Sequence, residues 1–459
     1  MPSIVTINVS VTSALAPSTL QSTGAFISQG ATTLAANATS LLTQASDLTP
    51  LLASPLALSS LVWSGGTVLA TTAAAIPGRN TGDIFLTTIT GASPTGYNGT
   101  YHVTVTGANT FTYALAVNPG SSITAGNYSP PNQGELLAMT ATFFGQGGGR
   151  SVYVLELGAG DQTTGPALLG TWIQNNIGVM YAFLVPRGWD VSTELMALIA
   201  QYESFTSRTY FFVTTSINTY TQYTAAMKCV VALVEAPGVP AAEFSMAAVF
   251  QHALAYAPSS SNRMTPFAFS YLFGVTEYPA IGNGALLTAL KAAGVNYVGS
   301  GAEGGISTAI LLWGTTLDGN DFTYWYSADW IQINSDLTIS NAIITGSNNP
   351  LNPLYYNQNG INVLQDDIVA LVQTAIAFGL ANGSVGSTAL DGPVFQENLD
   401  TDVYAGLCVI NAVPFITYVT ENPSAYKQGV YGGLTLVYIP QRGFTQIIFN
   451  INVTQFIVP

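Results

Sequence analysis

Few residues in this 459-residue chain have types and spacing that invite chemistry. His102 and His252 are its two histidines, and neither belongs to an H-x-x-x-H pair or a Cys/His cluster. A metal hydrolase or a Ser-His-Asp triad therefore lacks its ligands or its base. Cys229 and Cys408 are isolated, without metal-site spacing, and fit a reducing compartment as core residues, although spacing alone leaves a disulfide open. Gly299 to Gly304 (GSGAEG) matches G-x-G-x-x-G and follows a strand pattern, but Gly305 and the strand-like AILLW come next instead of a helix. With 45 glycines in the chain, chance accounts for the match. No G-x-x-x-x-G-K-[ST] occurs. Asp318, Asn320 and Asp321 in LDGND are Ca²⁺-ligand types, yet Asp-Gly and Asn-Asp are also ordinary turn residues, and the turn is the better reading. Phe322, Tyr324, Trp325, Tyr326 and Trp330 form an aromatic cluster that suits a sugar-stacking platform or, more naturally, a core or subunit contact.

The elements that would have to position such groups carry a stronger signal. Val5, Ile7, Val9 and Val11 alternate with Thr6, Asn8, Ser10 and Thr12, the period of a strand with one apolar face. Ile447, Phe449, Ile451 and Val453 alternate in the same way with Ile448, Asn450, Asn452 and Thr454. The first charged side chain is Asp47 and the last is Arg442, so neither terminal strand carries the charges that usually blunt an exposed edge. Both strands need partners, either within the subunit or on other copies.

Composition narrows the class. The chain is 48% hydrophobic and 7% charged, with 9 basic and 23 acidic residues and a formal net charge of −14. That excludes a disordered chain and argues against binding a phosphate backbone. Soluble domains carry near a quarter charged residues, so a surface this poor in charge suits burial against other subunits. The N-terminus lacks the basic and apolar regions of a signal peptide, and no apolar run is long enough to span a membrane.

In chain order, the reading is an α/β (α+β) multidomain protein. A mixed sheet flanked by helices carries an inserted all-β module, and the terminal arms exchange between subunits. Residues 1–33 read as an N-terminal arm and linker. Residues 34–59 plus 132–390 read as the α/β core, with a short helix over 41–52. Residues 60–131 contain two charged residues, Arg79 and Asp83, and read as a small β domain with strands near 67–71, 84–89, 100–106 and 110–115. Helices are expected at 136–144, 167–175, 192–205 (capped by Ser192), 223–234, 243–256 and 285–293, and then around 331–344 and 364–380. Strands are expected at 151–157, 179–185, 210–214, 295–298 and 306–313. Residues 391–459 read as a β-rich C-terminal domain ending in the arm strand.

Several of these stretches together resemble a family. ELLAMTATFFGQGGGRSVYVLEL (135–157), ALKAAGVNYVGS (289–300), SADWIQINSDLTISNAI (327–343) and YNQNGINVLQDDIVALVQTAIAFGLANG (356–383) are similar to segments of contractile tail sheath proteins, found in contractile bacteriophages and related injection devices. GYNGTYHVTVTGANTFTYAL (96–115) resembles a small β module that recurs in phage tail proteins. The resemblance implies a virion structural protein, assembled in the bacterial host cytoplasm into a virion tail. Its partners would be further copies of itself in stacked, hexameric rings, a tail tube protein, and baseplate and tail terminator proteins. It implies no cofactor, no direct nucleic-acid contact and no membrane insertion, with the energy for contraction stored at assembly. The terminal strands match the family's arms, and the expectation from their uncharged edges is that residues 4–12 of one subunit and 445–457 of another join one sheet completed by a third subunit's strands, with 434–439 and 408–413 as the candidates. The competing class is a β-rich virion or surface adhesin that binds glycans through the aromatic cluster; a hydrolase is a third.

Overall fold

The computed structural model describes residues 19–444 apart from 205, 224–225, 280–282 and 303–305. The eight alternating arm residues, Val5, Ile7, Val9, Val11, Ile447, Phe449, Ile451 and Val453, lie outside the described residues. Among those described, one compact unit comprises Leu20–Pro258, Met264–Tyr326 and residues 441–444, and a second comprises Ser259–Arg263 and Ser327–Pro440.

The first unit is built on an eight-stranded sheet. Its spatial order is Ile306–Leu312, Asn296–Ala302, Val230–Val234, Tyr210–Thr215, Ala182–Leu184, Gly24–Ser28, Val152–Glu156 and Thr39–Leu42. The six inner strands are parallel and the two outer ones antiparallel. Every residue of Gly24–Ser28, Tyr210–Thr215 and Val230–Val234 is buried. Parallel strands covered on both faces read as continuous apolar runs rather than alternating ones. Helices Gln133–Gly145 and Ser245–Ala255 cover one face, where Phe26, Phe143 and Phe250 meet with ring centroids 5.4 to 6.2 Å apart. Helices Thr164–Asn175 and Thr193–Tyr202 bring Trp172, Leu169, Leu195 and Leu198 into the core of the other face. Ser192 caps the second of these by accepting from the Leu195 amide at 3.2 Å, as its position before the helix predicts.

Residues 56–128 close into a six-stranded barrel. Its strands are Leu56–Ser64, Thr67–Thr72, Ile84–Thr90, Gly99–Gly107, Thr110–Ala114 and Asn127–Tyr128, and its filling includes Leu61, Val68, Phe85, Val103, Phe111 and Tyr128. Gly107 to Asn109 turn the chain between two paired strands. The barrel is tied to the sheet by Arg79 to Asn132 and by Asn80 Nδ2 to Asp161 Oδ2 at 3.0 Å. A Cβ at Gly134 would sit 3.0 Å from the Leu86 side chain, so helix Gln133–Gly145 meets the barrel at a glycine.

The second unit contains helix Gln358–Ala377 and a three-stranded sheet in the order Ser384–Thr388, Leu407–Ala412, Leu434–Val437. The first pair is parallel, joined across helix Gly392–Asp400, and the second is antiparallel. Gln365 reaches from the helix to the carbonyls of Thr388 and Ile410 at 2.8 and 2.9 Å.

Five local expectations are corrected. Part of the expected linker, Gly24–Ser28, is an inner strand of the main sheet. The expected helix over 41–52 is the strand Thr39–Leu42 followed by the 3₁₀ turn Ala45–Leu51. That turn is held by Asp47, which accepts from the Thr43 hydroxyl and amide at 2.7 and 2.8 Å, bonds that pull its pKa down to about 2. The expected helix over 223–234 is the strand Val230–Val234, since a short apolar run reads alike in a buried strand and a buried helix. The aromatic stretch before 331 is helical, within Phe322–Asn348. The region after 391 holds helices Gly392–Asp400, Phe415–Glu421 and Pro423–Lys427 besides its short strands.

Candidate assembly surfaces

An open α/β sheet binds ligands beyond the carboxyl ends of its strands, where the strand order reverses. Here the order reverses at Gly24–Ser28. Glu156, 1% exposed, accepts from Ser28 Oγ and the Gly30 amide at 2.6 Å, from Thr32 Oγ1 and the Gly158 amide at 2.8 Å, and from the Thr32 amide at 3.2 Å. A carboxylate offers about four lone-pair positions, so these donors saturate Glu156 and commit it to the loops after the strands.

Two cavities lie beside the strand ends. One, of about 340 Å³, is lined by Arg187, Asp190, Thr214, Glu235 and Tyr278. The other, of about 250 Å³, is lined by Arg79, Phe85, His102, Glu135, Arg187 and Trp189. Arg187 borders both and is fully engaged. Its Nε and Nη2 fork onto Glu235, Nη2 also donates to the Glu243 carbonyl at 2.8 Å, and the guanidinium stacks 4.1 Å from the Phe244 ring centroid. Burial works against its charge, but the hydrogen bond and charge of Glu235, with Glu135 and Glu243 behind it, hold its pKa above the ordinary guanidinium value. Asp190 accepts from the Tyr223 hydroxyl at 2.9 Å and from Thr219 Oγ1 at 2.5 Å. These pairings commit Arg187 and Asp190 to the loops that border the cavities.

The other chemistry-bearing residues are also structural. His252 Nε2 bonds the Tyr271 carbonyl at 2.7 Å, and burial lowers its pKa. Cys229 and Cys408 are buried free thiols, both pushed up by burial. Gly299 lies in an antiparallel strand pair, not before a helix. In LDGND, Asp318 accepts from the Asn320 amide at 2.9 Å and from Trp325 Nε1 at 2.8 Å, which closes a turn rather than a Ca²⁺ loop. Among the described residues, no three His, Cys, Asp or Glu side chains are grouped to hold a metal, and no helix is long and apolar enough to cross a membrane. Phe322, Trp325, Tyr326 and Trp330 are 0–7% exposed and so belong to the core, while Tyr324 is half-buried with Arg442 over its ring.

The open features are strand edges in the second unit. Leu407–Ala412 lies between Ser384–Thr388 and Leu434–Val437, so both its ladders are occupied. Of the two expected acceptor strands, 408–413 is therefore not an edge, because its backbone groups are already paired. The other, 434–439, is two pieces: Leu434–Val437 in this sheet, and Ile439–Pro440 paired with Ala381–Asn382. Leu434–Val437 and Ser384–Thr388 are its edges among the described residues, and neither carries a charge, a proline or a bulge. The Ser384–Thr388 edge escaped the sequence reading because SVGST is short, small and weakly alternating. The signal available was Asp391-Gly-Pro, a helix start with proline in the first turn, which makes 384–412 a strand–helix–strand unit.

No protein-family model matches the chain, and no curated protein matches its sequence. Solved structures do match in fold. A chain of the anti-feeding prophage baseplate in a six-fold symmetrised structure aligns over 99% of this chain and 100% of its own, at 14% identity and a TM-score of 0.52. A chain of the same baseplate in the contracted state aligns over 100% and 99%, at 12% identity and a TM-score of 0.50. A chain of the anti-feeding prophage helical sheath in the contracted state aligns over 99% and 100%, at 11% identity and a TM-score of 0.49. This chain thus shares its fold, end to end, with chains of the anti-feeding prophage baseplate structures.

Proposed function

We propose that this protein is the structural subunit of a contractile tail sheath, which polymerises in stacked rings around a tail tube and shortens to drive the tube through a target envelope. One observation carries the reading: the end-to-end agreement in fold with the anti-feeding prophage baseplate chain, which leaves almost nothing of either chain unmatched. The uncharged edges Ser384–Thr388 and Leu434–Val437 support it, since added strands pair with edges of this kind. In this reading, residues 4–12 of one subunit and 445–457 of another join the three-stranded sheet of a third. The main sheet and its helices form the body, and the barrel of residues 56–128 is an accessory module. The partners are other copies, the tube protein, and baseplate and terminator proteins, and assembly takes place in the host cytoplasm. The role is non-enzymatic: the ionisable groups of the crevice and cavities are committed to holding loops. The glycan-binding alternative is disfavoured by the burial of four of the five aromatic residues it would use.

Negative-stain electron microscopy of the purified chain tests the proposal. Rings or tubes of uniform diameter are expected at concentrations that favour assembly. Monodisperse particles at every concentration and salt condition, with or without a tube-forming partner, would overturn it.

A further inference from the structure

The last described residues at each end of the chain are held by one short piece of helix. Gln21, in the turn Leu20–Ser22, is 3% exposed; its Nε2 donates to the Tyr326 carbonyl at 2.9 Å and lies 3.4 Å from the Tyr181 hydroxyl. At the other end, the Gly443 amide donates to Asp321 Oδ2 at 2.8 Å, and the Arg442 guanidinium sits 4.2 Å from the Tyr324 ring centroid. Asp321 immediately precedes helix Phe322–Asn348, and Tyr324 and Tyr326 lie in its first turns. Asp321 also accepts from the Thr323 amide at 3.2 Å, so one carboxylate closes the helix start and holds Gly443.

This piece of helix is built to stay still. Phe322, 0% exposed, lies 4.9 to 5.9 Å from the rings of Phe267, Tyr210 and Phe212, and Tyr326 lies 5.2 Å from Tyr256. Thr323 Oγ1 accepts from the Phe267 amide at 2.9 Å. Position 443 has to be glycine: a Cβ there would lie 2.5 Å from Pro266 Cβ and 3.0 Å from Asp321 Oδ2. Aromatic packing ties the helix start to strand Tyr210–Thr215 of the main sheet, and the chain enters that sheet at Gly24, directly after Gln21 and its turn.

We infer that the turn Asp321–Tyr326 is a common anchor for the described ends of the chain, residues 19–23 and 441–444, with Asp321 and Gln21 as the residues that position them. Both ends are then held at one point, and whatever loosens that point loosens both. The anchor itself is a property of the single chain. Its use in assembly, to pass load from one arm to the other, rests on the sheath reading above.

Hydrogen–deuterium exchange on the full-length, unassembled chain tests the anchor apart from that reading. In Asp321→Ala, peptides covering 441–444 should exchange about tenfold faster, the loss expected for a hydrogen bond to a charged group. Peptides covering 19–23 should accelerate as well, although Asp321 does not touch them, while those covering 210–215 and 230–234 stay unchanged. Gln21→Ala should reciprocally loosen 441–444. Gly443→Ala, which leaves both polar partners in place, guards against a misfolded Asp321 variant and should loosen both ends too. Asp321→Asn, which still offers an acceptor oxygen, should restore most of the protection. If each variant loosens only its own end, the two attachments are independent and the inference fails. If both ends respond but the purified chain never forms rings or tubes, the anchor stands and the sheath reading falls.

Discussion

Arg187 holds apart three carboxylates that would otherwise face one another. Glu235 takes its fork, Glu135 lies 3.8 Å from its Nη1 and accepts its backbone amide at 2.8 Å, and Glu243 is locked by Thr276 and Ser245. Removing the guanidinium leaves partly buried carboxylates without their counter-charge and strips the ring of Phe244. Arg187→Ala should therefore cost about 2–4 kcal/mol, read as a lower urea midpoint at unchanged slope. Arg187→Lys should recover little, because a point ammonium cannot reproduce the fork onto Glu235 or the stacking on Phe244. Nothing in PRGWD announces this role: a lone arginine in a loop finds its three acidic partners only when strands from distant parts of the chain end together. Ser192 is the opposite case. Its side chain answers to an amide three residues away, and its capping role is legible without a fold.

At the scale of elements, the barrel is attached so that its removal need not unravel the sheet. Leu56 and Tyr128 are directly paired, so the chain enters and leaves at neighbouring positions. A short linker can bridge the few ångströms between paired strands. Replacing residues 56–128 with such a linker should leave a cooperatively unfolding protein with native circular dichroism for the remaining elements. Its urea midpoint should drop modestly, because Leu86 no longer covers Gly134 and the Arg79–Asn132 and Asn80–Asp161 bonds are lost. Loss of cooperative unfolding would mean that the barrel belongs to the folding unit of the sheet. Four of its six strands were legible nearly to the residue, because alternation and turn residues are local; Leu56–Ser64 and Asn127–Tyr128 were not. The strand Val230–Val234 was not, because its five buried residues alternate with nothing.

For the whole molecule, the proposed assembly makes the arms the elements that join subunits. Deleting residues 1–13 should leave a folded subunit with an unchanged circular dichroism spectrum that no longer polymerises in sedimentation. The main sheet and its helices, starting at Gly24, remain intact in such a variant. Normal polymers from the truncated chain would contradict exchange through this arm. Unfolding would mean that the arm pairs within its own subunit.

Patterns that repeat within about ten residues determined much of this protein from its sequence alone. They include the alternation of helix and strand from 133 to 215, the barrel hairpins, the Ser192 cap and the uncharged ends. Tertiary structure decided the rest. Gly24–Ser28 becomes an inner strand only because Val152–Glu156 and Ala182–Leu184 close on either side of it. Five small and apolar residues between polar turns carry no period, so their conformation is set by partners more than a hundred positions away. The same physics made Leu434–Val437 an edge and Leu407–Ala412 a centre: which strand keeps unpaired backbone groups depends on the neighbours that pack beside it.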